Sequence, residues 1–280
     1  MRLERIGPKV NMENYIEVKK KKILLLENAP HSFNGGKYYF INEKVSQGRE
    51  DQPDSVITGI KRGLKRHPKL FSFLYNLLGA SFVGKSAKKF ITEFKPDSVT
   101  LNFGSGVKNL GKNIINIDFY PFDGVDIVAD ISSLPIKDAS ADCVVCEYVL
   151  EHVPNPGEII NEIERVLKPG GAVYISVPFV ASFHSSPYDY YRWSKPGLET
   201  LLRNFNKVEC KIRSGPTSSL IYVLSEWLGT LFSFGSPKLQ QIIFLLFLVL
   251  FSPLNFIDYL IYKLPSSENI AYGFYFIGKK

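Results

Sequence analysis

Cysteine is scarce in this chain, three in 280 residues, which excludes a disulfide-stapled scaffold and fits a reducing cytoplasm. Two of the three, Cys143 and Cys146, form a C-x-x-C, yet no second pair of ligands follows at zinc spacing. They sit in the apolar run "ADCVVCEY", which reads as a buried strand. Both are expected to be small buried hydrophobes, and no metal site is expected. The opening "MRLERIGPKVNMENYIEV" lacks an apolar stretch, so no secretory signal is expected. No bias in charge or hydrophobicity marks a disordered chain: 45% hydrophobic and 22% charged residues permit a sizeable core. The length suits one large α/β domain with additions, or two small ones. A net charge of +7 and a pI near 9.1 favour an anionic partner: nucleic acid, acidic polysaccharide or an anionic membrane surface.

Three regions are expected. Residues 1–58 form an N-terminal extension. In it "KKKKILLLENAP" holds a strand, and "NGGKYYFINEK" reads as a glycine turn followed by another, a small β-hairpin. Lysines 19–22 are expected on a solvated edge. Residues 59–95 form a helical cover in which Lys61, Arg62, Lys65, Arg66 and Lys69 precede Leu70, Phe71, Phe73, Leu74, Leu77 and Leu78. His67-Pro68 divides it into two helices. That pattern suits either a helix packed on the next domain or one lying on a membrane.

From residue 96 onward the rhythm is α/β. Strands are expected at 98–103, 114–118, 143–146, 172–178 and 208–212. A helix starts after Asn155, with Asn155 as N-cap, Pro156 at the first position and Glu158 completing a capping box. Its apolar face is Ile159, Ile160, Ile163, Val166 and Leu167, and Pro169-Gly170-Gly171 ends it. Such alternation argues for a mostly parallel sheet covered on both faces.

The glycine loop in "VTLNFGSGVKNL" decides the ligand class. Its frame is Gly104-x-Gly106-x-x-Asn109, so the third glycine of a dinucleotide loop is missing, and no G-K-S/T of a P-loop follows. Only seven residues, 107–113, lead to the next strand, whereas a parallel crossover takes a dozen or more. The first helix must be stunted or replaced by a loop, which harms a pyrophosphate site more than a site for a ligand without phosphates. Asp118, at the end of the second strand, can accept both hydroxyls of a ribose. Asp130, near the end of a third, can accept from a purine amino group. Carboxylates at these tips suit a cationic cofactor and repel phosphate.

The succession "LNFGSG", "NID", "VADISSLPIKDASADCVVCEYVLEHV" and "EIERVLKPGGAVYISVPF" resembles the class I S-adenosylmethionine-dependent methyltransferases, in particular the type-11 group. The resemblance covers roughly residues 98–215 and the final strand. It implies a Rossmann-like seven-strand, mostly parallel sheet with an antiparallel last strand, and S-adenosyl-L-methionine as cofactor. By position, Asn102, Gly104, Ser105 and Gly106 would border the methionine part of the cofactor. Asp118 would hold the ribose with Phe119 beside it, Asp130 and Ile131 the adenine, and Glu147 would sit near the sulfonium. Two positions depart from the family: Asn102 stands where it has an acid, and Lys108 where it has a third glycine.

Methyl transfer to a hydroxyl or amine needs the acceptor held in line and a proton removed. In "PFVASFHSSPYDYYRW" the polar residues His184, Asp189 and Arg192 follow the fifth strand. His184 has the intrinsic pKa of a general base, and Arg192 can pair with Asp189 or grip an anionic substrate. His152, in "LEHV", is expected to order its helix or touch the cofactor's edge.

Residues 216–266 form a hydrophobic helical insertion before the last strand. Residues 242–257 would make a helix of about 24 Å against about 30 Å of hydrocarbon, and Pro253, Asn255 and Asp258 interrupt it. A re-entrant or interfacial hairpin is therefore expected over a clean span. The soluble alternative has the two arms bury each other and cap the sheet. Together these features predict a cytoplasmic methyltransferase, peripheral or re-entrant at the inner membrane face, acting on a small-molecule, lipid-linked or glycan acceptor. A non-catalytic module of the same fold that recruits partners to a membrane, and an RNA-modifying methyltransferase, remain open. Nucleic acid is the less favoured partner because the lysines cluster beside apolar helices and not with exposed aromatics.

Overall fold

The computed structural model describes residues 30–41, 79–108, 110–111, 113–184 and 188–280, with the backbone of two short strands at Glu17–Val18 (β1) and Lys21–Lys22 (β2). The basic stretch 61–69 and the helices expected around His67-Pro68 lie outside the described residues.

The core is a nine-stranded sheet. Its strands are β3 (Ser32–Asn34), β4 (Lys37–Tyr39), β5 (Thr100–Phe103), β6 (Ile114–Asp118), β7 (Ile127–Val128), β8 (Ala141–Glu147), β9 (Leu167–Pro178), β10 (Asn206–Ser214) and β11 (Gly273–Lys279). They lie in the order β10-β11-β9-β8-β5-β6-β7-β4-β3. The seven strands from β5 onward form the expected mostly parallel sheet, and β11 runs antiparallel to both β9 and β10. The hairpin β3–β4, turning at Gly35 and Gly36 with φ of 56° and 78°, extends it by two strands, β4 pairing parallel to β7.

Strands buried on both faces explain the continuous apolar runs. On one face Leu101, Phe103, Ile117, Val144, Cys146 and Ile175 pack with Ile159, Ile160 and Ile163 of α2 (Pro156–Val166) and Leu198 of α3 (Lys195–Leu201). On the other, Ile114, Cys143, Val145, Tyr174 and Tyr275 pack with Ala87 and Phe90 of α1 (Ala87–Ile91). Cys143 and Cys146 thus sit on opposite faces of β8, where they cannot share a ligand, and burial raises both thiols far above their ordinary range. At the start of α2, Pro156 occupies the first turn as expected, but Asn155 caps nothing with its side chain. Its amide instead donates to Glu158 Oε1 at 3.2 Å. The helix passes directly into β9 at Leu167, three residues before Gly170.

Between β10 and β11 two helices form a hairpin: α4 (Pro216–Phe232) and α5 (Pro237–Phe251). Gly229 lets them close up, since a Cβ there would stand 2.9 Å from the Gln240 carbonyl oxygen. Gln240 also donates to Glu226 Oε1 at 2.6 Å. Pro253, Asn255 and Asp258 do not break the second arm. It tightens to a 3₁₀ helix over Ser252–Ile257 and resumes as α6 (Asp258–Ile261). Among the described residues this run, Pro237–Ile261, is the one helix long and apolar enough to cross a membrane, about 38 Å at 1.5 Å per residue.

The polar residues in that run anchor the hairpin. Asp258, fully buried, accepts from Thr217 N (2.6 Å), Ser218 N (3.1 Å) and Ser218 Oγ (2.8 Å), and from Ser81 Oγ. It therefore caps the first turn of α4, where the amide hydrogens have no helical partner and the helix dipole favours a negative charge. Asn255 donates to the Gly79 carbonyl oxygen at 3.1 Å. Replacing Asp258 by alanine strands those buried donors and is expected to cost about 3 kcal/mol. The check is a lower urea midpoint at unchanged slope.

Candidate functional site

The carboxyl ends of β5, β6 and β8 meet at one edge of the sheet, and the residues expected to hold a cofactor gather there. The chain leaves β5 through Gly104 and Gly106, both in the left-handed region with φ of 61° and 54°. A Cβ on Gly104 would lie 2.4 Å from Val149 Cγ2, so this glycine is required by packing. A Cβ on Gly106 would meet nothing within 4 Å, so the backbone there borders open space. No helix forms among the described residues of 104–113, in keeping with the short spacing.

Asp118, at the tip of β6, is buried. Its Oδ2 accepts from Gly106 N at 2.7 Å and its Oδ1 from Tyr120 N at 2.9 Å. Asp130 stands two residues beyond Val128, the register partner of Asp118. It is exposed, and its Oδ1 takes the amide and hydroxyl of Ser132 at 2.9 and 2.7 Å. Phe119 is half-buried against Tyr120, and Ile131 packs into the core. Asn102 donates its amide to Asn116 Oδ1 at 3.0 Å, and Asn116 donates on to the Gly124 carbonyl oxygen at 2.8 Å. The residue in the family's acidic position thus braces two strands.

Lys108 turns across the mouth of the site and pairs with Glu147 Oε2. The Glu147 side chain is buried, and its Oε1, which has no hydrogen-bond partner, lies 3.7 Å from Arg213 Nη2. Arg213 is buried as well and lies over the Phe82 ring at 4.2 Å. Sequence reasoning missed Arg213 because it comes from β10, three strands away from β8. The chain then turns sharply at Tyr148, whose φ of 55° costs an L-residue about 1–2 kcal/mol. The turn is held by Tyr148 N donating to the Ser176 carbonyl oxygen at 2.9 Å and by a 3.0 Å contact between Tyr148 and Ser214 hydroxyls.

The second group lies just beyond, on the 3₁₀ turn Leu150–His152 and the segment after β9. Arg192 grips Asp189 with two guanidinium nitrogens, at 2.5 and 2.6 Å, and donates to the carbonyl oxygens of Ala181 (3.1 Å) and Ser182 (2.9 Å). Asp189 also accepts the His184 amide at 2.8 Å. Arg192 is therefore committed to fixing this segment rather than to gripping a substrate. Burial, with His152 beside it, pushes His184 down to about 4, so the imidazole is neutral at pH 7 and a weak proton acceptor. His152 and His184 meet edge to face at 5.1 Å. Beneath them Glu151 is fully buried, and burial raises its carboxyl to about 8.

Residues 106–175 match the model of a methyltransferase domain. Over this stretch the chain is similar to methyltransferases, the curated relatives below among them. Over 106 residues it is 31% identical to a demethylmenaquinone methyltransferase of Renibacterium salmoninarum, covering 36% of this chain and 42% of that one. Over 124 residues it is 29% identical to a ubiquinone/menaquinone biosynthesis C-methyltransferase of Hahella chejuensis, covering 41% and 48%. A stretch of 35 residues is 51% identical to a ubiquinone biosynthesis O-methyltransferase of Dechloromonas aromatica, covering 12% and 15%. The chain spans less than half the length of each of these relatives.

The two glycines separate fold from binding. Gly104→Ala is expected to lower the melting temperature markedly, because its Cβ collides with Val149. Gly106→Ala is expected to cost only about 1–2 kcal/mol of left-handed strain while weakening binding of S-adenosylhomocysteine at least tenfold. Thermal melts and calorimetry on both variants check this.

Proposed function

We propose that this protein is an S-adenosylmethionine-dependent methyltransferase that works at a membrane surface on an amphiphilic acceptor. The observation that carries the reading is the open backbone at Gly106 beside the buried carboxylate of Asp118. Two further buried groups without hydrogen-bond partners, Ser105 Oγ and Glu147 Oε1, fit a ligand with polar edges. The cofactor supplies an electrophilic methyl group on a positively charged sulfur. Asp118 would accept the ribose hydroxyls, Asp130 and Ile131 would border the adenine, and Glu147 would face the positive charge. The chain's contribution to rate is chiefly positioning, with residues 181–184 and 188–192 tied together by the Arg192–Asp189 pair.

The membrane part of the reading rests on the helical hairpin. Its arms bury each other along one side only. Leu220, Trp227, Leu231, Ile242, Leu246, Leu250, Tyr259 and Leu260 stay exposed, and Phe234 at the tip is 91% exposed. A contiguous apolar surface of this kind on a soluble chain marks an interaction site. The first arm, about 26 Å, is shorter than the hydrocarbon layer, while the second, with its continuation to Ile261, is long enough to cross; a pair of such unequal arms suits a hairpin entering the membrane from one side. Trp227, exposed on the first arm, is a residue type enriched at membrane interfaces. An acceptor of the quinone-precursor kind accords with the names of the matched relatives, which are methyltransferases of ubiquinone and menaquinone biosynthesis; a lipid-linked glycan or a phospholipid head group has an amphiphilic character that would suit the same hairpin.

A non-catalytic module is the second reading, and the Lys108–Glu147 pair favours it, since a lysine there sets a positive charge beside a positive cofactor. Calorimetry separates the two. The enzyme reading expects binding of S-adenosylhomocysteine that weakens at least tenfold in Asp118→Ala. It also expects Lys108→Met to strengthen S-adenosylmethionine more than S-adenosylhomocysteine, by about tenfold, because only the former carries the sulfonium charge. Absence of binding to either compound would leave the module.

Flotation with phosphatidylglycerol-containing vesicles tests the second half. The wild type is expected in the lipid fraction, and the double variant Phe234→Asp, Leu246→Asp mostly in the soluble one. A wild type that stays monodisperse and soluble beside the vesicles sinks the membrane assignment.

A further inference from the structure

The histidines beside the cleft are arranged in a way that neither the cofactor nor the acceptor segment explains. Glu151 is fully buried, and both of its carboxylate oxygens lack any hydrogen-bond partner. A buried carboxyl left so stays neutral, as its raised pKa records, until a cation meets it and favours the ionised form. Two imidazoles face it. His152 Nε2 and His184 Nε2 each lie 3.9 Å from Glu151 Oε1, too long for a hydrogen bond. Their other ring nitrogens are turned outward to carbonyl oxygens: His152 Nδ1 to Tyr188 at 2.6 Å and His184 Nδ1 to Ser182 at 3.3 Å. A carbonyl oxygen only accepts, so each Nδ1 carries the hydrogen and each Nε2 presents a lone pair. Both lone pairs therefore belong to the side that holds the carboxylate.

We infer that Glu151, His152 and His184 form a binding site for one divalent transition-metal ion of the zinc, manganese or cobalt class. One ligand atom from each of the three lies within 4.8 Å of the others. Ions of this class bind imidazole nitrogen and carboxylate oxygen at about 2.0–2.2 Å, so small rotations bring all three atoms onto one ion. The outward Nδ1–carbonyl bonds are the orienting partners that metal-bound histidines ordinarily have. Asp189, 3.6 Å from His184 Nδ1, and the amide bond it accepts from His184 hold the loop ligand in place. Arg192, whose charge also reaches Glu151 and His184, is paired with Asp189, which offsets part of its opposition to an ion.

Three protein ligands leave coordination positions open, and the His184 side chain, 38% exposed, gives access to them. The ligand class for an open position is an oxygen donor: water at rest, or a hydroxyl of the acceptor. This role, unlike the site itself, rests on the methyltransferase reading. A hydroxyl bound there loses its proton to solvent more readily. The expectation that the chain holds no metal was drawn from cysteine spacing, and this site uses no cysteine.

The test is a titration of metal-free full-length protein with Co²⁺, followed by its visible absorption, and then with Zn²⁺ as competitor. The site predicts one equivalent of Co²⁺ with bands stronger than those of the aqueous ion, bleached by Zn²⁺. It further predicts at least tenfold weaker binding in Glu151→Gln, an isosteric change, and in His184→Ala, on a half-exposed segment. No band up to millimolar Co²⁺, or bands undiminished in the double variant His152→Ala, His184→Ala, would overturn the site. S-adenosylhomocysteine binding measured on the same samples reads the cofactor cleft independently, so loss of one assignment is distinguishable from loss of the other.

Discussion

The buried carboxylate of Asp118 fixes the geometry on which the cleft depends. It stands where β6 leaves the sheet and takes the amide hydrogens of Gly106 and Tyr120, so one charge ties down the loops after two neighbouring strands. A hydrogen bond to an ionised acceptor is worth more than a neutral one, and here two of them compensate the burial of the carboxylate. The short passage from β5 to β6 has no helix to stiffen it among its described residues. The Asp118–Gly106 contact does that work instead, and it keeps the backbone open at Gly106, where a side chain would close it.

Around this fixed point the charges are unusually crowded. Lys108, Glu147 and Arg213 place two cations on one carboxylate at the end of β8. Burying Arg213 is tolerated because the Phe82 ring, Glu147 and the Gly84 carbonyl oxygen all face it. The left-handed Tyr148 follows immediately and turns the chain so that Glu151 and His152 return toward His184. Strain of that kind persists only where the surroundings over-determine it, and here two hydrogen bonds do so. The same short stretch, 147–152, thereby serves both the cofactor cleft and the histidine cluster.

The helical hairpin shows how an apolar surface can be attached firmly to a polar core. Its outer sides are oily, while its root is held by Asp258, Asn255, Ser218 and Ser81 in one buried network. A hairpin anchored only by apolar contacts could slide, because such contacts are non-directional. Directional bonds at the root fix how the hairpin leaves the sheet, and the exposed Phe234 then marks its far end.

Much of this was legible in the residues. Alternating apolar runs and helix signals determined the parallel sheet and the face of α2, because burial on a given side imposes a period along the chain. The missing third glycine and the seven-residue spacing determined that β5 passes to β6 without a full crossover helix. The order of motifs placed Asp118, Asp130 and Glu147 at neighbouring strand ends. Tertiary structure alone decided what those residues touch. Asn155 looked like a cap and is not one; Pro253 and Asp258 looked like interruptions, yet they lie within a continuing helical run, and Asp258 caps another helix. Arg213, Lys108 and Glu147 meet although they lie far apart in the chain, and Glu151 gains its second imidazole neighbour, His184, only when the segment after β9 folds back. Sequence periodicity reports which side of an element is buried, a local property. Partners across 30 or 100 residues are set by packing and by the need to satisfy each buried charge, and no local pattern records that.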